Sequence, residues 1–216
     1  MSAMRTAKLK RIAAACLALL GWAALVLQYV LLLQNIDALG LSTAEGTIRF
    51  FSFFTIQSNI LVALVLTAFA IKSGPDEWLV HPFVRSAVAV YIALVGIVYF
   101  AVLRQLWAPK GAQWVADVVL HYAMPLGYLA FWLTCVRKAG LRWYDPLLWL
   151  IYPLFYLAFI LVRGKLAGFY PYPFINVGTL GYAKVAFNTL GLLIVCAALG
   201  TIFVAVGWWL SRRQKP

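Results

Sequence analysis

An all-α, six-helix transmembrane bundle with both termini in the cytoplasm is the architecture that three features of this sequence point to. The chain of 216 residues is 65% hydrophobic and 11% charged, with a mean hydropathy of +0.91. A water-soluble domain carries roughly 25% charged residues, so lipid must wet most of this surface. Six apolar runs are each long enough to cross a hydrocarbon core of about 30 Å, which takes about 20 helical residues. Finally, twelve of the 18 Lys and Arg lie in the N-terminal flank, the second and fourth loops and the C-terminus, and six in the other three loops. Positive charge collects on the cytoplasmic side, which fixes the expected orientation.

The runs lie near 12–34, 50–71, 83–107, 114–136, 146–163 and 185–210 and form a single six-span domain over 1–216. Backbone N–H and C=O groups in lipid must be paired within the element, so each run is a helix. Outer-membrane strands would alternate polar and apolar residues over shorter stretches, and no segment does so. Arg5, Lys8, Lys10 and Arg11 precede the first run as they would a secretory signal. Its apolar stretch exceeds the usual 7–15 residues, so a retained first span is expected. Trp107 and Trp114 fall at outer ends, and Trp78, Trp143, Trp208 and Trp209 at inner ends, as interfacial aromatics should.

With this orientation spans two, four and six begin at the outer face, and each is polar in its first turns. In span two Ser52, Thr55 and Asn59 recur at three and four residues and share a helix face, with Ser58 beside them. Span four carries Asp117 and His121 four apart, Tyr128 seven further on, and Pro125, which removes the partner of the residue-121 carbonyl and should bend the helix. Span six opens on Lys184, Asn188 and Thr189. Span five ends outward on Arg163 after Tyr152 and Tyr156, and span three ends on Tyr99 and Arg104. At about 1.5 Å per residue, Thr55 lies about 7 to 8 Å and His121 about 10 Å below the starts of their spans. A candidate nucleophile and a candidate base therefore share a leaflet.

Ionisable groups inside a span are costly and face a bundle interior or a wet cavity, which makes Asp117 and His121 a candidate site. A lone membrane threonine usually bonds the carbonyl one turn back, the bland reading of Thr55. The 164–174 stretch alternates aromatics and prolines, a stiff segment suited to the lipid interface above the polar cluster. His81 belongs to the opposite face. Cys16, Cys135 and Cys196 are scattered through spans and suit packing rather than a disulfide framework. Metal-ligand spacings, phosphate-binding glycine loops and Gly-x-Ser-x-Gly elbows do not occur, so neither metal nor cofactor is expected. No flank is basic enough for a nucleic-acid groove; the net charge of +12 suits anionic lipid heads.

The stretches Phe53-Phe54-Thr55-Ile56-Gln57-Ser58-Asn59, Leu120-His121-Tyr122-Ala123-Met124-Pro125, and Tyr152-Pro153 with Gly168-Phe169-Tyr170-Pro171-Tyr172-Pro173-Phe174 resemble the bacterial branch of the androgen-induced-protein superfamily. Its animal members, androgen-induced protein and androgen-dependent TFPI-regulating protein, are multi-pass hydrolases of fatty acid esters of hydroxy fatty acids. They use an intramembrane threonine and a histidine. The resemblance covers spans two to six and implies Thr55 as nucleophile and His121 as its partner; the aromatic-proline loop is characteristic of the bacterial branch. It also implies a bacterial cytoplasmic membrane, membrane lipids as surroundings and a lipid ester as substrate.

Chemically, a threonine hydroxyl needs an adjacent base. His121 can take its proton and return it to the leaving alcohol. Asp117 can fix the imidazole tautomer, a role read from its position one turn before His121. Asn59 or Ser58 would donate to an oxyanion, and Tyr128, Asn188 and Arg163 would line the substrate site. The alternatives are a non-catalytic lipid-binding or transport protein, whose polar cluster reads a head group, and a packing scaffold. For the latter, Ala14, Ala18 and Gly21 allow close helix approach. Oligomeric state is not written in the sequence.

Overall fold

A computed structural model describes residues 2–71 and 78–212. Among them the chain is helical, without strands: α1 (Ser2–Ala38), α2 (Thr43–Phe51), α3 (Phe54–Ala70), α4 (Pro82–Ala101), α5 (Ala112–Val118), α6 (Met124–Cys135), α7 (Asp145–Trp149), α8 (Ile151–Ala167) and α9 (Val177–Arg212). A π turn over Val119–Ala123 joins α5 to α6 without a break. Five helical spans are long and apolar enough to cross a membrane, or six if α2 and α3 together make one. This fits a multi-pass membrane protein.

The central element is α4, in which 61% of the most apolar stretch is buried, against 22 to 33% in the other four. It packs on α3, α6 and α9, while α1 covers α3 from outside. Most of its polar side chains find partners inside the bundle. Tyr91 donates to the Trp149 carbonyl at 2.8 Å, and Ser86 Oγ accepts from Trp132 Nε1 at 2.9 Å. The buried Arg85 guanidinium lies over the Phe69 and Phe131 rings and donates to the Leu79 carbonyl. Such pairing is what a polar group needs where water is scarce.

The second span departs from expectation. The apolar run predicts a continuous helix over 50–71, but α2 and α3 meet at 72° around Ser52 and Phe53. Ser52 Oγ bonds back to the Ile48 carbonyl at 2.6 Å, and Phe53 is extended with φ −85° and ψ 126°. Ser52 therefore closes α2 instead of sharing a face with Thr55 and Asn59. The carbonyls freed at the break are taken by side chains. Gln57 Nε2 donates to Phe51 O at 2.7 Å and Tyr156 Oη to Ser52 O at 2.9 Å. Thr55 consequently sits in the first turn of α3, not about a turn and a half into a longer helix, which replaces the depth read from the sequence.

Two further breaks shape the same end of the bundle. The bend expected at Pro125 takes the form of the π turn, in which Met124 N–H reaches back to the Val119 carbonyl. Helix α9 starts before residue 185, because Gly181 at φ 72° links a leading segment to the main helix. Only glycine enters that conformation without steric cost.

Candidate active site

The break between α2 and α3 opens onto a cavity of about 400 Å³ lined by Thr55, Tyr99, Asp117, His121 and Tyr172. Three elements deliver these groups. Helix α3 presents Thr55 in its first turn, where the N–H has no helical carbonyl to bond. The π turn presents His121 one turn after Asp117. The 168–176 loop presents Tyr172, whose backbone is extended, as it must be before Pro173.

Thr55 differs from other helical threonines of the chain. Thr47, Thr67, Thr134 and Thr201 each donate to the carbonyl four residues back, the usual resting bond of a membrane threonine. The corresponding carbonyl for Thr55 is Phe51 O, which Gln57 occupies. The Thr55 hydroxyl instead lies 3.3 Å from the Tyr172 hydroxyl, and the Thr55 N–H donates to that same oxygen at 3.2 Å.

His121 is held from two sides. Its Nδ1 lies 3.2 Å from Asp117 Oδ1 and 3.1 Å from the Asp117 carbonyl, so a proton on Nδ1 satisfies both and leaves Nε2 as the free base. That tautomer is inferred from the acceptors around Nδ1. The Tyr99 ring stacks on the imidazole at 3.9 Å between centroids, and its hydroxyl donates to Asp117 Oδ2. Both carboxylate oxygens are thereby engaged. Tyr99, Asp117 and His121 form one rigid unit contributed by α4 and the π turn.

The cavity brings together Thr55, Asp117 and His121 and leaves out Asn59, Ser58, Tyr128, Asn188 and Arg163. Among the described residues no hydrogen bond joins Thr55 to His121; the cavity lies between them. Asn59 is fully buried, and its amide bridges Thr55 O at 2.9 Å and Leu120 O at 3.1 Å. It is a strut between the elements carrying Thr55 and His121. Ser58 is fully buried off the cavity without a partner. Tyr128 donates to Arg85 O at 3.1 Å, inside the bundle.

Arg163 pairs with Glu45 at 3.0 Å, and Glu45 also takes Arg49 at 2.6 Å. Both guanidinium groups lie over the Phe169 ring, at 5.0 and 4.5 Å. Asn188 donates to Phe174 O at 2.9 Å. Arg163 and Asn188 thus grip the 168–176 loop from both sides rather than facing the cavity.

Tyr99 and Tyr172 are the participants that sequence reasoning did not assign. For Tyr172 a signal existed: Pro171 and Pro173 restrict the backbone on both sides of one tyrosine and so hold it in one place.

Two apolar spaces adjoin the cavity. A pocket of about 90 Å³ between α4, α8 and α9 is lined by Phe54, Val95, Leu157 and Leu193. Thr55, Leu103 and Tyr172 line both it and the cavity. A cleft of about 330 Å³ between α4 and α6, lined by Gly96, Pro125 and Leu126, reaches the other side of His121. No family model, curated protein or solved structure matches this chain, so the reading of the site rests on its residues and their geometry.

Proposed function

We propose that this protein is an intramembrane hydrolase of lipid esters, with Thr55 as nucleophile, His121 as base and Asp117 as the group that orients it. The observation that carries the reading is the shared cavity. It holds a threonine hydroxyl outside the usual helical bond and an imidazole whose Nδ1 is fixed by a carboxylate. In the reaction Thr55 Oγ1 attacks the ester carbon as its proton passes to His121 Nε2, and the C=O electron pair moves onto oxygen. Collapse of this tetrahedral species expels the alcohol, which takes the proton from His121. Water then repeats the sequence on the acyl-threonine, releasing the fatty acid and restoring Thr55.

The apolar pocket next to Thr55 suits the first carbons of an acyl chain, and the Asp117–His121 side of the cavity suits water and the leaving alcohol. Fatty acid esters of hydroxy fatty acids, the substrates implied by the resemblance to the androgen-induced-protein superfamily, are the first to try. The positive-charge pattern supports an outer-leaflet position for this end, in the bacterial cytoplasmic membrane that the resemblance implies. A fluorophosphonate probe should label the wild type at Thr55, and Thr55→Ala should lose both the label and turnover of a long-chain ester. Full activity in purified Thr55→Ala removes the hydrolase reading.

One observation favours a second reading, a lipid-binding or transport protein. The Thr55 hydroxyl meets Tyr172 rather than His121, so the cluster could hold a head group without chemistry. Binding of the ester without turnover by the wild type would establish that reading.

A further inference from the structure

We infer that Tyr172 donates to the oxyanion of the ester reaction, together with the Thr55 backbone N–H; this rests on the hydrolase reading above. An oxyanion hole needs donors aimed at the point where charge develops, close to the nucleophile. Asn59 and Ser58, the side chains that suggest themselves from sequence, are buried away from the cavity. The Thr55 N–H is on the cavity and unused by its helix, and a nucleophile's own N–H serves this role in the Ser-His-Asp template. In the resting structure the Tyr172 oxygen occupies that N–H at 3.2 Å.

This oxygen therefore marks the place of an oxyanion, and the phenol still has its own proton to give. A substrate carbonyl oxygen can enter between the two groups. Two bonds of about 2.9 Å each, along the lone-pair directions of that oxygen, then require Tyr172 to retreat by about 1.5 to 2 Å. Thr55 N–H and Tyr172 O–H then both donate to the carbonyl oxygen, and as it takes up the electron pair both bonds become charge-assisted.

Tyr172 is held near this position by its neighbours, so the shift it must make is short. Its ring stacks on Phe174 at 5.2 Å and meets the edge of Phe53 at 5.8 Å. Phe174 is tied through its carbonyl to Asn188, and Phe169 is held under Arg49 and Arg163. Tyr172 also lines both the cavity and the apolar pocket. Arg163 and Asn188 are positioning residues in this arrangement, and Tyr172 touches the reacting atoms.

Tyr172→Phe tests this, because it keeps the ring contacts and removes one hydroxyl. With the purified full chain in lipid nanodiscs and a long-chain p-nitrophenyl ester, kcat should fall by about 10²-fold or more, as for loss of one oxyanion donor. KM and the unfolding midpoint should hold. Phosphonylation of Thr55 by the fluorophosphonate, which passes through a similarly charged transition state, should slow in parallel. Unchanged kcat, or a loss that tracks a lowered unfolding midpoint, overturns the proposal. A wild type without turnover or labelling removes the hydrolase reading and this proposal with it. An active wild type whose Tyr172→Phe form keeps its rate removes this proposal alone.

Discussion

Asp117 does two jobs at once: it accepts from Tyr99 and it holds His121 through Nδ1. Asp117→Asn keeps the volume and the Tyr99 bond but turns the wrong partner toward Nδ1, favouring the tautomer with its proton on Nε2. In the Ser-His-Asp template such a change costs about 10⁴ in kcat. A loss of at least about 10²-fold is expected here, with the unfolding midpoint near that of the wild type; an unchanged rate removes Asp117 from the mechanism. At this scale the sequence was informative where spacing is local. Asp117 and His121 are four apart on one face, and that relation survives into the π turn. Tyr172 and Thr55 are separated by 117 positions, and no local pattern pairs them. Asn59 was read as facing the site because it shares the face of Thr55. In the structure that face is divided, its upper turn on the cavity and its lower turn against the Leu120 carbonyl.

Helices α2 and α3 show why element boundaries resist sequence reading. The apolar run continues across Ser52 and Phe53 without change of composition, so nothing local announces a 72° bend. The bend is made affordable by Gln57, Tyr152 and Tyr156 together: Tyr152 holds Gln57 Oε1 at 2.8 Å while Gln57 covers Phe51 O. Pro125 did announce a disturbance, yet whether a proline gives a simple kink or a π turn depends on its neighbours. The loop after α8 offers a test of the clamp. A methyl group at Gly164 would lie 2.0 Å from the Tyr170 ring, so Gly164→Ala must push that ring outward. The substitution gains up to about 1 kcal/mol of helix propensity. Overpacking costs about 1–3 kcal/mol, so stability should fall slightly. Ester turnover should fall more, because Tyr170 lies two residues before Tyr172. Chemical unfolding and kcat of Gly164→Ala check both; equal stability with full activity would show the loop needs no such clamp.

For the whole molecule, composition alone was enough to foresee a helical membrane bundle, since an interior helix and a lipid-facing helix are both apolar. The central place of α4 was not legible for the same reason: hydropathy cannot separate burial in protein from burial in lipid. Charge is the remaining guide to sidedness, and it makes a prediction about the assembled bundle. The 168–176 loop and the α4–α5 connection lie at the cavity end, whereas the turn after α6 lies at the other, near His81. The biased distribution of Lys and Arg predicts the cavity end outside and both termini in the cytoplasm. Replacing Cys16, Cys135 and Cys196 with alanine gives a background free of thiols. Lys110→Cys and Ala139→Cys then place one exposed thiol at each end. In intact cells a membrane-impermeant maleimide should modify position 110 and spare position 139 until the membrane is opened. The reverse pattern would invert the bundle, carrying Thr55, Asp117 and His121 to the inner leaflet, where the water and the ester for any reaction would have to come from the cytoplasm.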